Sequence, residues 1–517
     1  MWRTSVHRKA CAACTRPRGM TAAQAFLDRV HDLARLGSIQ GHLGWDRETL
    51  MPRKGAGARS DVLAWLAAES HRRLVSDSFG SLLEAVRDEA ESDPDLAATV
   101  REITRRRDRA VLLPEAFVSE FARTRSLAQG AWQDARAASD FAAFAPHLET
   151  LLSMTKERVR LLGHQGPTYD ALLDEYEIGS TMAGYDPMFA ELKDHLVPLL
   201  ARITAASAER DLPALPDGAR FPVNDQIAFC ERVSGTMGFD FEAGRMDASA
   251  HPFSAGLWPG DTRFTTRFDE SDPFSCLYAV MHETGHALYE QGLPEAFQRT
   301  PRGEAISLGV HESQSRFWEN QVGRTEAFWS VVGPWFHEAF PEVPVLDPAA
   351  MNLIANKVEP GFIRVEADEV TYNLHIMIRY EIEKQMFEGN LTIAELPHLW
   401  NSMMQEWFGL EVKEDRFGCL QDIHWSMGAF GYFPTYTLGN LYAAQLLEAM
   451  GKDLGDMDAL IRGGDWSAPL AWLKARIHER GSLLLPPALI EEATGSPPTA
   501  AAFLRYIESK YSRLYGL

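Results

Sequence analysis

The sequence predicts a mainly α-helical protein, one large body with a small β-sheet set just before a central helix. Three observations predict it. From about residue 38 to 206, segment after segment repeats its apolar residues with a period near 3.6 and stops at Gly or Pro, with no run of alternating strands. Between Asp247 and Asp272 the texture changes to Gly, Pro, Thr and Phe, and Thr262-Arg263-Phe264-Thr265-Thr266-Arg267-Phe268 has strand composition. From residue 440 helical periodicity returns, led by Leu441, Ala444, Leu446 and Leu447, and runs through Leu470, Trp472, Leu473 and Ile477 to a last helix around 499–514.

Composition bounds the class. At 517 residues and 45% hydrophobic content, the chain can bury a large core, as ordinary domains or as one helical body with two lobes. No stretch approaches 18 consecutive apolar residues, so no transmembrane helix is expected. A net charge of −21 argues against nucleic acid and anionic membrane as partners and fits a soluble cytoplasmic protein. The five cysteines are too few and too scattered for a disulfide framework, which favours a reducing compartment. Cys11 and Cys14 form a C-x-x-C pair without a second ligand pair and are read as incidental.

Taken in order, residues 1–19 hold Arg3, Arg8, Lys9, Arg16 and Arg18, no acidic residue and no apolar run of a secretory signal. They are read as an N-terminal extension, disordered or not native, with an organelle transit peptide as the alternative. Residues 20–517 are read as a single domain with two lobes. Thr21 and Gln24 form a capping-box pattern that starts a helix with Phe26, Val30 and Leu33 on one face and an expected stop at Gly37. Helices are expected at 56–74, 80–91, 94–111, 114–137, 139–164 and 187–206. Arg105, Arg106, Arg107 and Arg109 have acidic neighbours and no interleaved aromatics, so they form a solvated face rather than a nucleic-acid patch. Pro213, Pro216, Gly218 and Pro222 mark the loop expected to join the lobes.

The central helix is bounded by Asp272 as N-cap, Pro273 at its first position, and Gly292 with Pro294 at its end. Leu277, Val280, Met281, Thr284, Ala287 and Leu288 make its apolar face. It carries His282-Glu283-Thr284-Gly285-His286, an H-E-x-x-H string. Four residues are about 1.1 helical turns, so the two imidazoles project side by side and converge on one cation. With a third protein ligand, a tetrahedral zinc keeps one position open for water, whose pKa falls from about 15.7 towards roughly 7, and Glu283 stands ready to take the proton. Gly285 costs a helix about 1 kcal/mol relative to alanine, which points to a close approach by another group. Glu304, His311, Glu312 and Glu319 are the candidates for the third ligand. Glu312 is also four residues from Arg316, the spacing of a helix-surface ion pair, and spacing does not rank it above His311. The strand-like stretch before the helix offers an extended edge with which a peptide could pair by main-chain hydrogen bonds.

Several further motifs carry a resemblance. They are Trp45-Asp46-x-Glu48-Thr49 with Met51-Pro52, His251-Pro252-Phe253, Asp261-x-Arg263-x-Thr265 and His311-Glu312-Ser313-Gln314. Beyond these come Ile363-Arg364-x-x-Ala367-Asp368, Gly418-x-x-Gln421-Asp422-x-His424-Trp425 and Gly431-Tyr432-Phe433-Pro434-x-Tyr436. With the H-E-x-x-H helix, and in this order from about residue 21 to the C-terminus, the chain resembles the carboxypeptidase Taq family of zinc metallocarboxypeptidases. The resemblance implies Glu312 as the third ligand beside His282 and His286, with Glu283 as general base. It implies one zinc per chain, replaceable by cobalt, in a two-lobed helical body with a deep central groove of the neurolysin-like kind. It further implies a homodimer and the removal of single residues from peptide C-termini with broad preference.

A carboxypeptidase binds a free carboxylate, for which arginine's planar fork is the best match. Arg364 is the first choice and Arg263 the second, with a simple ion pair, such as Asp368 to Arg364, as the plainer role of each. In the glycine-rich loop 417–436, His424 and Tyr436 are the candidates to stabilise the oxyanion, and groove-wall packing is the plainer role of Tyr436 and Trp425. The competing functions are an oligopeptide endopeptidase or dipeptidyl carboxypeptidase with the same chemistry, and a non-enzymatic peptide-binding protein. The joint presence of ligands, base and arginine speaks against the last.

Overall fold

Twenty α-helices, short helical turns and one three-stranded sheet carry the main-chain hydrogen bonding of the described residues. These are residues 20–517 of a computed structural model, so the readings of residues 1–19, Cys11 and Cys14 among them, lie outside it. The mainly α architecture with a small sheet is the one expected, and no helix among the described residues is long and apolar enough to cross a membrane.

The described residues pack as two compact units, the smaller holding residues 20–111 with Arg299–Arg302, the larger Leu112–Gln298 with Gly303–Leu517. The smaller unit is built from helices Ala22–Thr49, Ala56–Val75, Asp77–Ala90 and Pro94–Leu112 around Phe26, Val30, Phe79, Leu83 and Val86. Its first helix opens on the expected capping box, Thr21 with Gln24, but runs through Gly37 to Thr49. One glycine without a following proline does not end a helix: it weakens propensity by about 1 kcal/mol while every later residue still gains its hydrogen bond.

In the larger unit the expected helices appear at Glu115–Ala138, Phe141–Leu161 and Met182–Ala208. The loop at 210–223 lies inside this unit, and the two units divide at Val111 and Leu112 instead. No helix crosses the loop, since one ends at Ala208 and the next starts at Val223. The loop's end nonetheless folds onto the unit, because Phe221 is buried and its N–H donates to the Glu270 carbonyl at 2.9 Å.

The sheet has the order β1-β3-β2, with β1 Gly244–Ala248, β2 Ser254–Trp258 and β3 Asp261–Thr266. β1 runs parallel to β3 (Gly244 opposite Thr262) and β2 antiparallel to it (Ser254 opposite Phe264), which leaves β2 as an edge. β3 buries Phe264, Thr265 and Thr266 and leads into the central helix, Pro273–Gly292. Asp272 caps that helix as expected, its Oδ1 accepting from the N–H groups of Phe274 and Ser275 at 3.1 Å.

Glycines decide how closely the central helix is approached. A Cβ on Gly285 would lie 2.6 Å from the Gln314 carbonyl oxygen and 2.7 Å from Ser315 Cα, so helix Leu308–Arg316 packs backbone to backbone there. This is the close approach expected from the sequence. Helix Pro434–Leu454 closes from the other side, where a Cβ on Gly439 would lie 2.3 Å from Glu312 Cγ. Gly285→Ala should therefore destabilise the protein by about 1–3 kcal/mol, since a backbone neighbour cannot yield. Gly37→Ala, with nothing within 4 Å, should stabilise it by up to about 1 kcal/mol. Opposite shifts of the urea midpoint check both.

Candidate metal centre

The string His282–His286 lies in mid-helix, and its i, i+4 spacing sets the two imidazole rings 4.8 Å apart. Glu312, on the helix that Gly285 admits, presents Oε2 3.6 Å from His282 Nε2 and 3.4 Å from His286 Nε2. One atom from each of the three residues lies within 4.8 Å of the others, a set that could hold a metal ion. Two imidazole nitrogens and one carboxylate oxygen suit a tetrahedral divalent cation with one position left open.

Around this trio each group is braced. Glu312 Oε1 accepts from Arg316 Nε at 2.7 Å, which leaves Oε2 to face the histidines. The i, i+4 ion pair and the cluster thus use different oxygens of one carboxylate. His282 Nδ1 lies 2.9 Å from Glu319 Oε2, and Glu319 is held in turn by Arg316 and Arg324 at 3.2 and 3.3 Å. Glu319 reaches that place from a wide π-helical turn, Phe317–Val322, which continues the Glu312 helix. His286 Nδ1 lies 2.6 Å from His311 Nδ1. Of the four third-ligand candidates, then, Glu312 faces both imidazoles, His311 and Glu319 stand behind them, and Glu304 is exposed.

Protonation follows burial and charge. Burial, helped by the charges of His311 and His282, drives the His286 pKa down to about 3, so that ring is neutral and offers a lone pair. Burial also works to lower His282, but Glu312 and Glu319 outweigh it and raise its pKa. Burial resists ionisation of Glu312, yet Arg316 and the histidines hold its carboxyl well below the usual range. Glu283 is buried and pushed up to about 7, by burial first, with Glu312 and Glu319 adding to it and His282 and His311 opposing.

A second charged cluster adjoins the first. Arg364 donates from Nε and Nη2 to Asp422 Oδ1 at 3.0 and 2.9 Å, and Arg379 donates from Nε to Asp422 Oδ2 at 2.7 Å. Two arginines share one carboxylate, which leaves a buried excess of one positive charge. The partner of Arg364 is Asp422; Asp368 instead caps helix Glu369–Glu388 through the N–H groups of Val370 and Thr371. Arg364 Nη1 also donates to the Tyr372 hydroxyl at 3.3 Å, while the Arg316 guanidinium stacks 4.4 Å from the Tyr372 ring. Tyr372 therefore links the arginine that braces Glu312 to the arginine pair. Arg263 is engaged locally on β3, in a two-point ion pair with Asp261 at 2.7 and 2.8 Å.

His424 and Tyr436 stand 6.4 Å apart, ring to ring, and Tyr436 lies under the Arg364 guanidinium at 5.2 Å. Burial lowers His424 to about 4 despite Asp422, and burial with the Tyr432 hydroxyl keeps the proton on Tyr436. Tyr432 packs 5.4 Å from Tyr436 and 5.3 Å from His424. Arg379 and Tyr372 are members that the sequence reading did not name, and Tyr432 entered it only as part of a motif, without a role. An arginine amid His375-Ile376-Met377-Ile378 was the available signal, since a guanidinium in an apolar run must have a buried partner.

A family model described as carboxypeptidase Taq (M32) metallopeptidase matches residues 25–511. The chain belongs to this family. Its relatives include the thermostable carboxypeptidase 1 of Thermus thermophilus, 41% identical over 96% of this chain and 99% of the relative. Carboxypeptidase 1 of Bacillus subtilis is 36% identical, again over 96% and 99%. The crystal structure of an M32 carboxypeptidase from Deinococcus radiodurans superposes with a TM-score of 0.92 at 36% identity, covering 96% of this chain and all of that one. Membership of an M32 metallopeptidase family implies a metal ion and peptide substrates, and it bears out the resemblance read from the motifs.

In this M32 chain His424 opens a short helical turn, His424–Met427, Tyr436 lies in the first turn of helix Pro434–Leu454 rather than in the expected loop, and a buried acid ties down the stretch between them. Glu383 accepts from Trp425 Nε1 and the Gly431 N–H, both at 2.7 Å, and from the Tyr169 hydroxyl at 2.8 Å. Burial outweighs those bonds and pushes its pKa from 4.5 up to about 7. An acid whose pKa rises on folding takes up protons as the protein folds, so its contribution to stability falls as pH rises through that window. Glu383→Gln cannot titrate, and the difference between wild-type and variant urea midpoints should change between pH 4.5 and 7 and level off above it.

Proposed function

We propose that this chain is a zinc-dependent carboxypeptidase that releases single residues from peptide C-termini with broad preference. The observation that carries the reading is the convergence of His282 Nε2, His286 Nε2 and Glu312 Oε2, joined through Arg316 and Tyr372 to a buried arginine pair with surplus positive charge. A cation alone suits any metallopeptidase. An adjoining anion site is what a free C-terminal carboxylate needs.

His282, His286 and Glu312 are the residues that would hold one zinc ion, and cobalt, which accepts the same donors, would replace it. A cation held there would supply Lewis acidity toward the scissile carbonyl and would acidify a nearby water. Glu283 takes a proton from the attacking water and returns it to the leaving amine. His424, neutral through burial, and Tyr436, whose hydroxyl keeps its proton, supply donors to the oxyanion. Arg364, supported by Arg379, binds the terminal carboxylate. Arg263 is the second candidate for that role and would have to exchange its bond to Asp261 for the substrate. The peptide main chain pairs with the free edge of β2. A cytoplasmic homodimer belongs to the same proposal; Cys230, Cys276 and Cys419 are free thiols, as a reducing compartment keeps them.

Mass spectrometry of an N-blocked peptide ladder with zinc-loaded protein tests the reading. Loss of one C-terminal residue at a time is expected, absent with Glu283→Gln, abolished by C-terminal amidation and much reduced with Arg364→Ala. Internal cuts or dipeptide release would make the protein an oligopeptidase or dipeptidyl carboxypeptidase. Binding of the ladder without turnover would make it a peptide-binding protein. For Tyr436→Phe, kcat should fall by about 100- to 1,000-fold with KM little changed, measured on a short peptide with a free C-terminus.

A further inference from the structure

We propose that Glu290 and His311 are positioning residues that lock His286 in the tautomer with its lone pair on Nε2 and thereby set the affinity of the centre for its metal. This rests on the metal reading above and assigns the next shell of the same site.

Hydrogen-bond polarity carries the argument. His286 Nδ1 and His311 Nδ1 are 2.6 Å apart, and His311 Nε2 is 2.8 Å from Glu290 Oε1. Two ring nitrogens at that separation share one proton, and an ionised carboxylate only accepts. The proton facing Glu290 therefore sits on His311 Nε2, and when His286 keeps the lone pair of its Nε2 for a cation the atom facing its Nδ1, His311 Nδ1, is bare. That atom accepts the proton of His286 Nδ1, and the His286 lone pair points from Nε2 at the cluster, 3.4 Å from Glu312 Oε2. The opposite order would set a bare His311 nitrogen against the Glu290 oxygen and a proton of His286 into the cluster. With a cation on His286 Nε2, only this order leaves every member of the relay matched.

His282 has the same support directly from Glu319, whereas His286 receives it through an imidazole. The difference lies in where the acids stand. Glu290 is one turn beyond His286 on the same helix, and His311 immediately precedes Glu312, so the relay also ties together the two helices that carry the ligands. The fold makes room for it: a Cβ on Gly256 of the edge strand β2 would lie 2.2 Å from Glu290 Oε2. The Tyr289 ring, 5.1 Å from His311, flanks the relay.

The test is zinc affinity of the metal-free full chain by competition with a chromophoric chelator, a readout independent of turnover. His311→Leu removes the acceptor, and zinc affinity should drop about 10- to 100-fold. His311→Gln can accept from His286 through its amide oxygen and donate to Glu290 through its amide nitrogen, so it should recover most of the loss. Affinity of His311→Leu within about twofold of wild type would overturn the proposal, as would equal losses in the Leu and Gln variants, which indicate packing alone. His286→Ala in the same titration separates the two levels. Native affinity there would sink the metal reading itself, whereas a loss there with none in His311→Leu would sink only the relay.

Discussion

The site depends on the placement of one carboxylate, that of Glu312. Its two oxygens do separate things: one is held by Arg316, the other faces two imidazoles from a neighbouring helix. A buried carboxylate is costly unless it is paired and hydrogen-bonded, and here the arginine meets most of that need while the cluster supplies the rest. The placement is secured by backbone rather than by side-chain choice. Gly285 lets the Glu312 helix touch the helix of the histidines, and Gly439 lets a third helix rest on the Glu312 side chain. Any Cβ at either point would separate elements whose contact brings the three donor atoms together.

Charge is arranged locally against the overall balance. The chain carries a net charge of −21, yet two buried arginines share a single aspartate beside the centre. Desolvation makes such a surplus expensive in the folded state. A bound anion would relieve the cost, which is the physical ground for the carboxylate-binding role proposed for Arg364. Neutral His424 and protonated Tyr436 line the same region, and Glu383 anchors the stretch between them through Trp425 and Gly431.

Much of this was legible in the chain. The helix periodicity, the Asp272 cap, the Thr21 capping box and the central H-E-x-x-H string are local properties, and local hydrogen bonding with 3.6-residue spacing reads them correctly. The cost of Gly285 in a helix foretold a close neighbour without naming it. Two expectations misread punctuation as architecture. Gly37 lies in mid-helix, and the proline-rich loop at 210–223 is packed inside one unit rather than placed between two. Both errors share a cause: glycine and proline report backbone preference, whereas helix length and unit boundaries are set by what the flanking residues bury.

By itself the sequence determined the helical class, the pair of histidines with its adjacent glutamate and, through ordered motifs, the family. Those depend on residues within a turn or two of one another or on recurring local patterns. Tertiary structure decided the rest. Which of Glu304, His311, Glu312 and Glu319 faces the imidazoles, which acid pairs with Arg364, and that Arg379 joins it are settled by contacts between residues tens of positions apart. The orientation of each such side chain comes from the packing of whole helices, and no spacing along a single chain encodes it.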